Sequence, residues 1–468
     1  MSTKRRRFAP DDLDDPALTR LIFRLGMPAV AGLSINAVHH TINMVFVGMI
    51  GTHEIAAITL VLPILMMIGA VGEGLGVGVA TAVGRALGAG DKQRANATAS
   101  TLIAAAIPLG LLLTAIIFLC RRELLVFFGG GGAALPLAEQ YLAIVAFSIT
   151  LTMLQILCDF IAISEGNTRF SMWTLTGCFA LNIVLDPIMI FWFGFGLAGV
   201  AAATILSQLA ALGAYAIYFR RRMGSLHLAP RFAAVRADIV RPVLLVGLPT
   251  TLTSMLNGVS FATLIAFAGF YRGDGGVAGV GIAMRILTLG MLPVIGLSLG
   301  GQAVLSFAWG AQNPARLLAA SATLVKITSG FALAYGCAAI VLRYPIAAFF
   351  STDPQIADIA ALTIIVTHLP FVFFGLRQIL LVLLQAQGRA HLAGIVSMSQ
   401  NGFFLLPLLL LLPHWFAFEG VLASLLIAPI LAAILSLLML VALFRQLRGR
   451  LPAAPTTRFR ELIPERAP

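Results

Sequence analysis

Two polar side chains in an apolar run carry the first sign of chemistry. The stretch LNIVLDPIMIF, residues 181 to 191, holds Asn182 and Asp186 among aliphatic and aromatic neighbours. An Asp at the centre of a bilayer costs roughly 2.5–3.5 kcal/mol on insertion scales, so intramembrane acids mark ion pathways, proton relays and ligand sites. At i, i+4 spacing the two side chains share one helix face. Pro187 follows at once; it withholds a backbone donor and crowds the carbonyl of Ile183, so the helix can bend beside the carboxylate. A carboxylate with an adjacent amide and a bend is suited to binding and releasing an ion or a proton. The alternative is a fixed structural pair.

Other polar groups lie at similar depth. Glu73, within AVGEGLGVG, reads as a supplementary proton site or a ligand for cationic substrate, or else as one half of a structural pair. Asp159 is expected to be structural or capping. Arg285 and Arg377 are intramembrane cations, suited to lining a cavity or to pairing with a carboxylate or carbonyl. His368 reads as satisfied core. Cys120, Cys158, Cys178 and Cys337 lie in or at the ends of apolar runs, with no C-x-x-C, and read as small apolar residues. There is no His-Glu-x-x-His, no Gly-x-Ser-x-Gly and no nucleotide loop. Gly74-Leu75-Gly76-Val77-Gly78 resembles a glycine-rich loop but falls inside an apolar span, where it reads as close helix packing. An enzyme, a resident metal and a cofactor are therefore not expected.

The elements that position these residues are membrane helices. The chain has 468 residues, 59% hydrophobic and 11% charged, with mean hydropathy +0.98. A soluble chain would carry roughly 25% charged residues. Apolar stretches predict twelve spans near 22–47, 55–80, 98–119, 140–162, 172–193, 197–219, 240–268, 277–305, 318–341, 359–384, 392–412 and 420–444. Residues 1–20 read as a tail and not as a secretory signal, because Lys4, Arg5, Arg6 and Arg7 are followed by Asp11, Asp12, Asp14 and Asp15 and not by a short apolar stretch. With a cytoplasmic N-terminus, nearly all Lys and Arg fall on the cytoplasmic side. The far side receives only Arg121, Arg122, Arg272 and Arg343. That bias predicts a multi-pass protein of the plasma (inner) membrane with both termini cytoplasmic. The net charge of +12 is thus mostly topology, and nucleic acid is not an expected partner.

The sequence repeats. GMPAVAGLSIN (26–36) recurs as GLPTTLTSMLN (247–257), placing Gly26, Pro28 and Asn36 221 residues before Gly247, Pro249 and Asn257. LGAGDKQR recurs as WGAQNPAR, and Gly166 as Gly388, at an offset of 222. Each half holds six spans, an even number, so the halves share one orientation. The expected architecture is all-α: two parallel six-helix repeats around a central cavity. The repeats are an N-lobe (21–219) and a C-lobe (242–445), with a cytoplasmic linker at 220–241 and a C-terminal tail at 446–468.

At these residues the chain resembles the multidrug and toxic compound extrusion (MATE) family. The resemblance rests on GMPAV in span 1, FVG at 46–48, GLGVGVATAVGRALGAGD after span 2, EGNTR at 165–169, LNIVLDPIMIFWFGFGLAGVAAATILSQ, and LLQAQGR at 383–389. The loop GRALGAGDKQR lacks the Asp-Arg motif of the major facilitator superfamily. The resemblance implies an alternating-access antiporter that exports organic, cationic or amphipathic compounds in exchange for H⁺ or Na⁺. It implies the DinF-like branch, whose ion site falls on Asn43, Asn182, Asp186 and Thr204; these four would also hold Na⁺. The NorM-like branch uses C-lobe acids, and spans 7 to 12 have none at mid-span. Asn43 stands where the family often has Asp, and it cannot carry a charge. His39 and His40 lie one turn before Asn43. Of the two, His40 is the better relay candidate, by its i, i+3 spacing, and the favoured alternative is a neutral, hydrogen-bonded packing role. The partners expected are small organic substrates and the bilayer, with the protein a monomer. The alternative is a lipid-linked precursor flippase of related fold.

Overall fold

The computed structural model describes residues 15, 17–127, 134–228, 236–351 and 353–448. Among these, every regular element is helical. Long apolar segments in lipid must satisfy their backbone internally, and helices do so segment by segment. The first half comprises α1 (Leu18–Ile50), α2 (Thr52–Gly88), α3 (Lys92–Leu119), α4 (Arg121–Phe127), α5 (Ala134–Val145), α6 (Ser148–Ser164), α7 (Thr168–Pro187) and α8 (Gly196–Arg220). A π-helical turn, Ile188–Trp192, extends α7. The second half comprises α9 (Ala237–Gly310), α10 (Pro314–Val341), α11 (Arg343–Phe350), α12 (Pro354–His368), α13 (Val372–Ala386), α14 (Ala390–Met398) and α15 (Leu406–Arg448), with a second π turn at Ser399–Leu405. Most of the N-terminal tail, all of 449–468 and residues 229–235 of the linker lie outside the described residues.

These helices make the twelve predicted spans in ways the hydropathy pattern does not show. Spans 4 and 10 are each bent: α5 meets α6 at 50° and α12 meets α13 at 47°. Spans 7 and 8 are one helix, α9, interrupted at Gly273 (φ 58°, ψ −152°). Spans 11 and 12 are joined in α15 at Ala417 (φ 49°, ψ −130°). The sequence predicts connectors of several residues at both places. A single residue outside helical space is enough to turn the chain, and Gly276 then packs on Ala268 and Gly420 on Leu412. Several helices also start or run further than predicted, because polar caps lie beyond the apolar window. Asp91 accepts from the Arg94 N–H to start α3, and Asn313 from the Arg316 N–H to start α10.

The internal repeat is visible in these details. Asp91 and Asn313 occupy equivalent places, as do α4 and α11, which both begin at an Arg. Gly90 (φ 74°) matches Gln312 (φ 52°), and Gly166 (φ 84°) matches Gly388 (φ 73°). The left-handed glycine after α6 and after α13 ends each helix without Cβ strain.

The two halves meet at the face that carries Leu18 and the 89–91 and 311–313 turns. Gly74 of α2 and Gly247 of α9 touch backbone to backbone; a Cβ on either would strike the other's carbonyl oxygen. A Cβ on Gly300 would strike the backbone N and Cα of Gly26 in α1, and one on Gly26 would strike Leu297. Thr251 Oγ donates to the Ala70 carbonyl at 3.1 Å across this seam. The Arg85 guanidinium closes it at the membrane edge, lying against Gly388 at the end of α13.

Candidate functional site

Asp186 lies in the last turn of α7 and is fully buried, at 0% exposure. Pro187 ends the α-helical hydrogen bonding there, and the chain continues as the π turn, in which the Phe193 N–H donates to the Ile188 carbonyl. The sequence predicts a bend at this point; the structure widens the helix instead. Asn182, one turn earlier and 3% exposed, faces the same way.

The Asn182 amide organises the site. In the orientation that satisfies its neighbours, its nitrogen donates to His39 Nε2 at 2.6 Å and to Asp186 Oδ2 at 3.2 Å. Its oxygen accepts from the Thr204 backbone N–H at 3.2 Å. His39 Nε2 must then be the unprotonated nitrogen, which puts the proton on Nδ1, buried without a partner. The imidazole is held flat against Phe179, ring centroids 4.7 Å apart. Asp186 Oδ1 is likewise buried without a partner. No Lys or Arg among the described residues reaches Asp186: the ion pairs found, Arg122–Glu139 and Arg236–Asp238, lie elsewhere.

A cavity of about 350 Å³ leads to this cluster. His39, His40, Gln155, Asp159, Asn182 and Thr204 are among the residues lining it; Asp186 and Asn43 are not. Asp186 therefore communicates with the cavity through Asn182 and His39.

The remaining candidates divide. Thr204 contributes its backbone N–H, while its hydroxyl donates to the Val200 carbonyl at 2.9 Å. Asn43 is half-buried and makes no hydrogen bond to Asp186 or Asn182 among the described residues. His40 is exposed, and His39 is the one bonded to Asn182. The i, i+4 spacing from His39 to Asn43 serves that face as well as the i, i+3 spacing of His40, and only the packing of α1 on α7 selects between them. Asp159 accepts from Ser171 Oγ at 2.5 Å and Tyr215 OH at 2.6 Å, a paired structural carboxyl as expected. Glu73 is remote from Asp186. It is exposed at the seam, where Ser254 Oγ of the other half donates to its Oε2 at 3.1 Å. Arg377 lines a second cavity, within the second half. Arg285 is exposed on α9 and does not line that cavity. His368 is buried; its Nδ1 contacts the Ile364 carbonyl at 2.9 Å.

One residue comes from outside the predicted set. Glu165, of the EGNTR loop, accepts from the Ser225 N–H at 2.6 Å and fastens the chain leaving α8 to the first half. Burial pushes its carboxyl up to about 7. Among the described residues no three His, Cys, Asp or Glu side chains form a metal cluster.

The comparisons agree on one family. The family profile described as MatE matches residues 28–188 and 249–411. The multidrug export protein MepA of Staphylococcus haemolyticus (strain JCSC1435) is 28% identical over 437 residues, covering 93% of this chain and 96% of the relative. MepA of Staphylococcus aureus (strain NCTC 8325 / PS 47) is 27% identical over 420 residues, covering 90% and 92%. Among solved structures, an outward-facing multidrug resistance MATE transporter superposes with a TM-score of 0.86 at 25% identity, covering 95% of this chain and 98% of that one. A MATE in the bent conformation gives 0.89 at 25% identity, covering 94% and 98%.

Proposed function

The chain belongs to the MatE family of membrane transporters, and on that premise we propose that it is a multidrug exporter driven by H⁺ or Na⁺ through Asp186. One observation carries this reading: a fully buried carboxylate that meets no counter-charge among the described residues, hydrogen-bonded to Asn182, which in turn meets His39 at the wall of a cavity. An ionised carboxylate in that setting lacks compensation. A proton or a sodium ion supplies it, and Asn182 and His39 form the entry path. The DinF-like branch fits, since coupling sits in the first half. Asp186, Asn182 and a backbone contact at Thr204 form the working set, with His39 taking the place that Asn43 holds in the resemblance.

The alternation follows from the seam. With the termini cytoplasmic, the closed face is the cytoplasmic one, and the structure is the outward-facing state. The two lobes, joined through 220–241, rock about Gly26, Gly74, Gly247 and Gly300. Glu73 faces the parting of the lobes and offers a carboxylate to cationic substrate. Ligand and ion are linked because each favours one arrangement of the same lobes. A lipid-linked precursor flippase would need several cations converging on one cavity. Among the described residues, Arg377 is the one cation lining either cavity within the halves.

The test is transport by purified protein in liposomes holding a fluorescent organic cation, with either a pH or a Na⁺ gradient imposed. One gradient moves the dye and the other does not. Movement under neither would overturn the reading. In the same assay, His39→Phe keeps the stack on Phe179 but removes the acceptor for Asn182. A lost hydrogen bond to a buried group costs about 1–3 kcal/mol, so export falls by about fivefold or more. His40→Phe leaves export within about twofold, as surface changes do. Equal effects of the two would refute the assignment of His39.

A further inference from the structure

The second half holds a cavity of its own, about 310 Å³, bounded by α9, α13, α15 and the second π turn. Its walls are apolar and aromatic, including Phe371, Phe374, Met284 and Met291. One charge enters it. Arg377 is 9% exposed, and its Nε is buried without a partner. Among the described residues it makes no hydrogen bond and no carboxylate comes within ion-pair range. The guanidinium lies 5.4 Å from the centre of the Phe374 ring, a cation–π contact. A buried guanidinium without an anion is costly and is retained where something else supplies the anion. Phe371 and Phe374 stack at 12°, with centroids 5.6 Å apart, and make a flat wall beside the charge. On another wall, Asn401 donates to Asn257. Apolar walls with a few fixed polar groups, at this volume, describe a site for a drug-sized ligand.

The repeat sharpens the point. Arg377 lies 222 residues after Gln155, the offset at which Gly388 follows Gly166. Gln155 lines the cavity of the first half. Equivalent positions beyond equivalent bends thus carry a neutral amide on the side of Asp186 and a cation on the other.

We propose that the second-half cavity binds organic carboxylates with an aromatic body. The carboxylate pairs with Arg377, whose planar fork suits two oxygens at once, and the aromatic body lies on Phe371 and Phe374. The exporter reading is needed only for the consequence that such acids, or zwitterions carrying this group, are cargo; binding itself is independent of it.

The experiment uses the full chain in lipid nanodiscs without any gradient. The probes are 2-naphthylacetate and its methyl ester, a fluorescent pair differing in the charge, measured against empty nanodiscs. The wild type binds the acid at least about tenfold more tightly than the ester, in line with a charge-assisted pair. Arg377→Gln abolishes the preference and leaves ester binding unchanged. Arg377→Lys, which keeps the charge, retains part of the preference and serves if the Gln variant does not fold. Asp186→Asn retains it in full, so a failure of ion coupling is distinguishable from a failure of this site. Equal binding of acid and ester by the wild type, or a preference that survives in Arg377→Gln, would overturn the proposal.

Discussion

Asp186→Asn yields a folded, inserted protein that moves no dye against its gradient, whichever ion is supplied. The substitution is close to isosteric, so the packing of α7 on α1 and the π turn that follows are kept. Its amide can still meet Asn182. What disappears is the carboxylate, the group in the cluster whose negative charge a proton or sodium ion would neutralise. Since Asp186 is fully buried with one oxygen unpartnered, removing the charge relieves a desolvation cost, and the variant melts no lower than the wild type. The checks are dye transport in liposomes under each gradient, dye binding without a gradient, and thermal unfolding. Export falls to the level of protein-free liposomes while binding persists. Export at the wild-type rate would remove Asp186 from the mechanism.

Gly247→Ala acts at the other end of the cycle. The added methyl meets the Gly74 carbonyl oxygen, a backbone atom that no side-chain rotation can move. The two halves must part to admit it. Overpacking a close contact costs about 1–3 kcal/mol, which biases a two-state equilibrium by roughly 5- to 150-fold. The penalty falls only on the state in which this seam is shut. Spin labels at Lys92→Cys and Arg241→Cys, with the native cysteines replaced, read the distance across this face. The distribution shifts to longer separations, and export falls by about fivefold or more as the shut state is depleted. An unchanged distribution with unchanged export would show that the seam does not open during transport.

Much of this was legible in the residues. Asp186, Asn182 and Pro187 stood out, because a charge beside a helix breaker is rare inside an apolar run. The twelve spans followed from hydropathy and the repeat from matched glycines. The limits were equally physical. Helical spacing cannot choose between His39 and His40, since i+3 and i+4 flank the same direction; burial against α7 chooses. The turns at Gly273 and Ala417 hide inside helices, because one residue of altered backbone leaves no mark in composition. The linkage of Glu165 to Ser225 likewise depends on where a loop comes to rest.

That last contact sets a leash. Glu165 grips Ser225, and the His227 N–H donates to Asn96 Oδ1 at 2.7 Å. Along the covalent path between the halves, Arg236, where α9 is about to begin, lies nine residues after His227. Nine residues reach at most roughly 30 Å when fully drawn out. While Glu165 holds, the gape between the halves at this face has a fixed ceiling, whatever the cargo. A carboxyl with an affinity for protons near neutral pH thus stands at the anchor point of the tether that limits how wide the exporter opens.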